Sequence, residues 1–235
     1  AFELLHKKGG QPHAVVLHLK ARRVAVLFDQ GQDYCVGLAT FFMKEFKRLG
    51  GEVVGIAKIQ TGDQDFSAQI GVLKAKNPDL IYAPNYYAEN ALLARQARDL
   101  GLTAPILTGD GAQVPELITL GGKAVDGMSF TAHFHRDQAA TPLAQEFRKA
   151  YEEAYNKELG AFPALGADSY FLLLDAMSRA GSLEGEKVAQ ALAQTKDFPG
   201  VCGTVTMDKD HNPVKGVVVI KVDQGKFVYQ TTMQP

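Results

Sequence analysis

From Arg23 onward, short apolar runs alternate with longer amphipathic stretches, and this rhythm restricts the fold more than any other feature of the chain. Arg23–Phe28 (RVAVLF) is a Val-rich run of strand length without polar alternation, the pattern of a strand buried on both faces. Behind it, Cys35, Ala39, Phe42, Phe46 and Leu49 recur at steps of four and three, an apolar stripe on a helix that Asp33 can cap and Gly50-Gly51 ends. Glu52–Lys58 reads as a second strand, and Asp65 caps a helix over Phe66–Ala75 with Ile70 and Leu73 inward. Three further units follow: strand Leu80–Ala83 with helix Ala88–Leu100, strand Pro105–Thr108 with helix Val114–Leu120, and strand Gly127–Phe134. Strands separated by helices cannot pair as hairpins, so the expected fold class is α/β with a doubly wound parallel sheet.

After Phe134 the rhythm changes. Helices are expected over Pro142–Lys157, Ala164–Ala180 and Glu184–Thr195, then β-hairpins built from Thr204–Met207, Val217–Val222 and Lys226–Thr231. A domain boundary is placed near His135. Ahead of Arg23, Ala1–Lys8 reads as a helical fragment ended by Gly9-Gly10, and Ala14–Lys20 as the end of another helix.

Composition excludes several classes. Hydrophobic residues make up 46% and charged residues 22%, and the net charge is −1. No global field therefore recruits nucleic acid or an anionic membrane, and the short basic groups lack interleaved aromatics. No apolar run is long enough to span a bilayer. The chain starts without Met or a signal peptide, as a processed or trimmed product would. Cys35 and Cys202 are too few for a disulfide scaffold and read as free thiols.

Ligands of open parallel sheets bind outside the carboxyl ends of the strands. That rule selects Asp29–Tyr34, Pro84–Glu89 and Gly109–Gln113. The first loop holds one glycine and two aspartates, which disqualifies it as a phosphate cradle. Either Tyr86 or Tyr87 can offer an apolar ring and a hydroxyl to a small ligand, or pack as a rim aromatic. Asp110 lies between two glycines that let the chain turn sharply and open its carboxylate to a cleft; it suits a ligand ammonium, or simply forms the turn. His133 and His135 share one strand face, but no third metal ligand is evident, so they read as solvated loop histidines. Capping explains Asp63 and Asp65. No nucleophile elbow or catalytic cysteine context is present. No cofactor is expected, and the chain is read as a binding protein rather than an enzyme.

The segments VAVLFDQGQDYCVGLA, GDQDFSAQI, NPDLIYAPNYYAE, ARQARDLGL, LTGDGAQVPEL and FPGVCGTVTMDKDHNPVKGVVVIKV carry a colinear resemblance over Arg23–Gln234. They resemble type I periplasmic solute-binding proteins of the leucine/isoleucine/valine-binding family of ABC importers. The resemblance implies two α/β lobes joined by three crossovers and closing on the ligand. Residues 20–134 plus 217–235 would form a complete, flavodoxin-like second lobe. Residues 1–10 plus 135–212 would be the remnant of a first lobe, a partial lobe of helices and hairpins. It further implies that Tyr86 and Asp110 meet the α-ammonium group of an amino acid, that Tyr34 lines the cleft, and that Phe162 touches the ligand side chain. The implied partners are an amino-acid ligand and an ABC importer membrane permease, in a periplasmic or extracellular setting. Cys35 and Cys202 depart from the Ser and Thr expected there.

The family pattern also breaks between Gly10 and His13, where most of the first lobe's sheet and its carboxylate-binding loops would stand. Each hydrogen bond to a charged group is worth about 1.5–3 kcal/mol, so losing two or three costs roughly 3–9 kcal/mol. A ligand held at about 1 μM has only ~8 kcal/mol in total. Weak or absent amino-acid binding by the isolated chain is the expectation, together with a homodimer through exposed first-lobe helices. Two other classes are weighed: a sensory ligand-binding module, and an enzyme on a flavodoxin-like sheet, for which the sequence supplies neither cofactor loop nor nucleophile.

Overall fold

The structure is a computed structural model that describes residues 21–139 and 141–234. The expectations for the N-terminal helical fragments and for the break after Gly10 fall outside the described residues. The described residues divide into two compact units: one holds residues 21–131 together with Val219–Gln230, the other Ala132–Val218 together with the segment from Thr231.

The first unit is built on a seven-stranded sheet. Strands β1 (Arg23–Asp29), β2 (Glu52–Ile59), β3 (Leu80–Tyr82), β4 (Ile106–Thr108) and β5 (Ser129–Ala132) are joined by β9 (Val217–Asp223) and β10 (Lys226–Met233) in the order β10-β9-β5-β4-β3-β1-β2. The pairs β1·β2, β1·β3, β3·β4 and β4·β5 are parallel. The doubly wound parallel core is therefore present, and the last hairpin, β9 with β10, extends the same sheet. Its turn is set by Gln224 and Gly225, both at positive φ (48° and 70°), the two-residue connection that matches the twist of paired strands.

Continuous burial along β1 follows from its place inside the sheet: Val24, Ala25, Val26 and Leu27 are wholly inaccessible. Helix α1 (Asp33–Arg48) lays Cys35, Ala39, Phe42 and Phe46 on the sheet, the stripe read from the sequence. The Phe42 ring stacks on Tyr82 of β3 with centroids 3.9 Å apart. The helix stops in a Schellman turn: Gly50 N–H donates to Lys47 C=O and Gly51 N–H to Phe46 C=O, with Gly50 at φ 85°. A Cβ on Gly51 would sit 2.3 Å from the Phe46 ring, so the second glycine is required by the packing of that ring.

Helices α2 (Ser67–Lys74), α3 (Tyr87–Asp99) and α4 (Pro115–Gly121) complete this unit. Capping does not describe Asp63 and Asp65: Phe66 stands at the cap position of α2 without a side-chain bond, while Asp65, one residue ahead, accepts the Ser67 N–H at 2.8 Å and Asp63 accepts from Gln60 N–H within the preceding turn. Asp33 corrects the sequence reading: it is the first helical residue of α1, and Gln32 stands at the cap position without a side-chain bond.

The second unit holds α5 (Pro142–Tyr155), α6 (Ala161–Ala180) and α7 (Gly185–Ala193), and a three-stranded antiparallel sheet β6-β7-β8 (Phe198–Gly200, Gly203–Met207, Pro213–Val214). Thr141 caps α5 through a bond from Ala144 N–H at 3.0 Å, with Pro142 at the first helical position. Helix α6 starts three residues before the expected Ala164, because Pro163 is tolerated in a first turn. Its buried face is made of small residues and one carboxylate. Ala161, Ala164, Ala167, Asp168 and Ala176 are buried, whereas Phe162, Tyr170, Leu173 and Leu174 are exposed. The small residues let α6 pack closely, and the Asp168 carboxylate accepts backbone N–H bonds from Val201 and, at 3.0 Å, from Cys202.

His135 corrects another expectation. It is buried rather than solvated, and its Nδ1 accepts from Asp137 N–H at 3.3 Å and so caps the short 3-10 turn that follows. Among the described residues no cluster of His, Cys, Asp or Glu could hold a metal ion, and no helix is long and apolar enough to cross a membrane.

Both cysteines are buried and unbridged. Burial, and then the Asp29 charge, push the Cys35 thiol up to about 12, and burial pushes Cys202 up as well. Since the thiolate is the reactive form, a disulfide-exchange reagent at pH 8 is expected to modify the native protein slowly, and to release two thiol equivalents after denaturation in guanidinium. A fast reaction of either thiol in the native protein would contradict this burial.

Candidate functional site at the carboxyl ends of three strands

Read across β2, β1, β3, β4 and β5, the sheet has the order 2-1-3-4-5, which reverses direction between β1 and β3. The connections from these two strands leave to opposite faces and open a crevice at their carboxyl ends, the general ligand position in such sheets. Tyr34 reaches this place from the first turn of α1, and Tyr86 from the cap position of α3. Asp110 opens the short 3-10 turn after β4.

The three side chains meet. Tyr34 Oη donates to Asp110 Oδ1 at 2.8 Å and accepts from Gly111 N–H at 3.0 Å. The Tyr34 and Tyr86 rings stack with centroids 5.0 Å apart. Burial first, and then the neighbouring Asp110 charge, raise the Tyr34 phenol well above its ordinary range, so it remains a neutral donor at all physiological pH values. Tyr86 keeps 38% of its surface exposed while Tyr87 lies in the first turn of α3, which makes Tyr86 the member of the pair that faces outward beside Asp110. Phe162, the fourth residue singled out, belongs to the other unit, where it is half exposed in the first turn of α6.

The glycines around Asp110 serve a different purpose from the one read in the sequence. Gly109 has extended backbone (φ −103°, ψ −175°) that any residue adopts, so no sharp turn demands it. What excludes a side chain is the tyrosine pair: a Cβ on Gly109 would lie 2.7 Å from Tyr34 Oη, and one on Gly111 3.0 Å from the Tyr86 ring. Gly109→Ala is therefore expected to displace the Tyr34 hydroxyl from Asp110 and shift the Tyr34 ring signals in a tyrosine-labelled NMR spectrum. Unchanged signals would mean that the pocket yields elsewhere.

Beneath these residues lies a buried polar framework that sequence reasoning missed. The Asn85 side chain accepts from Asp29 N–H at 2.8 Å and donates to Leu27 C=O at 3.2 Å. These are the two β1 groups that a further β3 residue would bond in a parallel ladder, so the carboxamide prolongs the β1·β3 pairing past its last backbone partners, Val26 and Tyr82. Asp29, 2% exposed, accepts from Gly31 N–H at 2.8 Å and from the Thr61 hydroxyl at 2.5 Å. Asn90 of α3 donates to Asn85 C=O and to Thr108 Oγ1. One signal was available: Asn90 shares the helical stripe of Ala94 and Ala97, an inward face on which a carboxamide is out of place.

The site is electronegative. The charges of Asp29 and Glu89 both raise the nearby Cys35 thiol, and Asp110 raises the Tyr34 and Tyr82 phenols. Such a field opposes phosphate and favours a cation. A separate shallow pocket of about 220 Å³, lined among others by Asp63, Glu89, Arg95 and Leu120, contains none of Tyr34, Tyr86, Asp110 or Phe162.

A strand order with its reversal beside a small polar site defines the class of α/β ligand-binding proteins. Within that class, a family model described as periplasmic binding protein matches residues 10–226, and the chain belongs to this family, with the type I periplasmic-binding-protein fold. A leucine-binding protein from Thermotoga maritima, LivK, superposes with a TM-score of 0.88 at 44% identity, over 96% of this chain and 65% of that one. The branched-chain amino acid transporter substrate-binding protein LivJ of Streptococcus pneumoniae, solved in complex with isoleucine, gives 0.82 at 32% identity, over 95% and 63%. A Leu/Ile/Val-binding protein homolog of Brucella abortus is 32% identical over 213 residues, 88% of this chain and 55% of the relative. The chain thus spans just over half the length of that curated relative.

Proposed function

We propose that this chain contributes to capturing an amino acid, of branched-chain type or a related small molecule, for an ABC importer, without converting it chemically. The observation that carries this reading is the convergence of Tyr34, Tyr86 and Asp110 at the sheet's reversal point, in an electronegative setting. Asp110 offers a carboxylate to the ligand's ammonium group, and Tyr86 offers its ring face and hydroxyl beside it. Tyr34 holds the carboxylate in place and lines the cleft. Phe162 is assigned to the ligand side chain by family resemblance. The names of the relatives support the ligand class, the partner permease, and a periplasmic or extracellular location.

This half-site binds an ammonium group with two charge-assisted contacts of about 1.5–3 kcal/mol each. Since 1 mM corresponds to about 4.1 kcal/mol, the expected affinity is millimolar. Ligand-observed NMR with three probes tests it: L-leucine, 3-methylbutylamine, which lacks the carboxylate, and 4-methylpentanoate, which lacks the ammonium. The first two should bind and compete, the third should not, and all should be recovered unchanged. Equal binding of the acid, or no binding of the amine at tens of millimolar, would overturn the reading.

A further inference from the structure

The three residues of the proposed site sit on separate loops, and something must fix the distance between them. We propose that Asn90 is a positioning residue for the ammonium site, a clamp that ties the Tyr86 loop to the Asp110 loop; this rests on the reading of Tyr86 and Asp110 as ligand groups.

The geometry is specific. One nitrogen of Asn90 donates to Asn85 C=O at 2.7 Å and to Thr108 Oγ1 at 2.8 Å. Asn85 immediately precedes Tyr86, and Thr108 is separated from Asp110 only by Gly109. Asn85, Asn90 and Thr108 are wholly inaccessible to solvent, so water does not compete for these bonds. Asn85 in turn grips the end of β1 through Leu27 C=O and Asp29 N–H, which passes the restraint on to the strand that leads to Tyr34. A single carboxamide thus connects the ends of β3 and β4, and its partner connects β3 to β1.

Helix packing alone does not account for Asn90. The inward positions around it are Ala91, Leu93, Ala94 and Ala97, an apolar face that calls for no carboxamide. Asn90 Oδ1 makes no hydrogen bond among the described residues, so the residue is not an optimum for burial. Both of its donor hydrogens, by contrast, are used between the two ligand loops.

The test compares Asn90→Leu, which keeps the branched shape of the side chain and removes both donors, with Leu93→Ala, a purely apolar lesion on the same buried helix face. The readouts are the assigned ring signals of Tyr34 and Tyr86 in tyrosine-labelled protein, and hydrogen exchange at the Gly111 amide. Asn90→Leu should move both ring signals and speed Gly111 exchange about two- to tenfold, as expected for losing one net hydrogen bond of about 0.5–1.5 kcal/mol. Leu93→Ala should lower the melting temperature and leave these signals in place. Should Asn90→Leu fail to fold, Thr108→Val removes the acceptor at the other end of the clamp and should give the same signature. Wild-type signals in the folded Asn90→Leu or Thr108→Val protein, or equal changes in Leu93→Ala, would overturn the clamp. Binding of 3-methylbutylamine is measured in parallel, and Asn90→Leu should weaken it. If the wild-type protein itself ignores the amine, the ammonium reading fails, while the ring signals still decide whether Asn90 sets the geometry.

Discussion

Asp110→Asn is expected to weaken binding of 3-methylbutylamine and of L-leucine about ten- to a hundred-fold, while the protein stays folded. The substitution keeps an oxygen that can accept from the Tyr34 hydroxyl, now 2.8 Å away, but removes the charge. A hydrogen bond to a charged group is worth about 1.5–3 kcal/mol, and each ~1.4 kcal/mol is tenfold in affinity, which sets the range. The denaturation midpoint should move little, because Asp110 is only partly buried. The comparison acid, 4-methylpentanoate, should bind no worse than to the wild type, since the change removes a repelling charge. An amine affinity unchanged by Asp110→Asn would assign the cation to another group and sink the proposed role.

The second large effect concerns stability of the other unit. Asp168→Ala deletes the carboxylate that receives the Val201 and Cys202 amides within a buried cluster containing Ala161, Ala164 and Ala167. Each buried N–H left without a partner costs about 1–3 kcal/mol, so the loss is about 2–6 kcal/mol. That is a large part of the 5–15 kcal/mol that typically holds a domain together. Urea unfolding followed by circular dichroism, with hydrogen exchange resolved along residues 161–202, should show the loss centred there. Gly200→Ala should act in the same direction, because its Cβ would lie 2.6 Å from Asp168 Oδ1. A cost below about 1 kcal/mol for Asp168→Ala would mean that the two amides find other acceptors.

Much of the first unit was legible because its signals are local. The strand β1 announced itself as an unbroken apolar run, α1 as a stripe at steps of three and four, and its stop as Gly50-Gly51. The rule that ligands gather at strand ends then selected the loops of Tyr34, Tyr86 and Asp110, and the structure brings those three together. Where partners lie far apart in sequence, the reading fell short. Asn85 meets Leu27 across 58 positions, and nothing near Asn85 signals it. His135 looked like a solvated loop residue because burial depends on what folds over it. On α6 the alanines and Asp168 face inward while Tyr170 and Leu173 are exposed, a choice made by the packing partner rather than by any local pattern.

The glycines flanking Asp110 divide the two kinds of information most sharply. Sequence alone determined the α/β alternation, the strand-end location of the candidate site and the presence there of residue types that suit an ammonium ion, since all three follow from local pattern and side-chain chemistry. Only the tertiary structure decided why Gly109 and Gly111 must lack side chains: a tyrosine hydroxyl and a tyrosine ring, from loops 75 or more and 20 or more positions away, occupy that space. It also decided that Asn90 joins the ends of two strands. Hydrogen bonds between distant segments form only once strand order has set which loops are neighbours, and that order is a property of the whole sheet rather than of any stretch of residues.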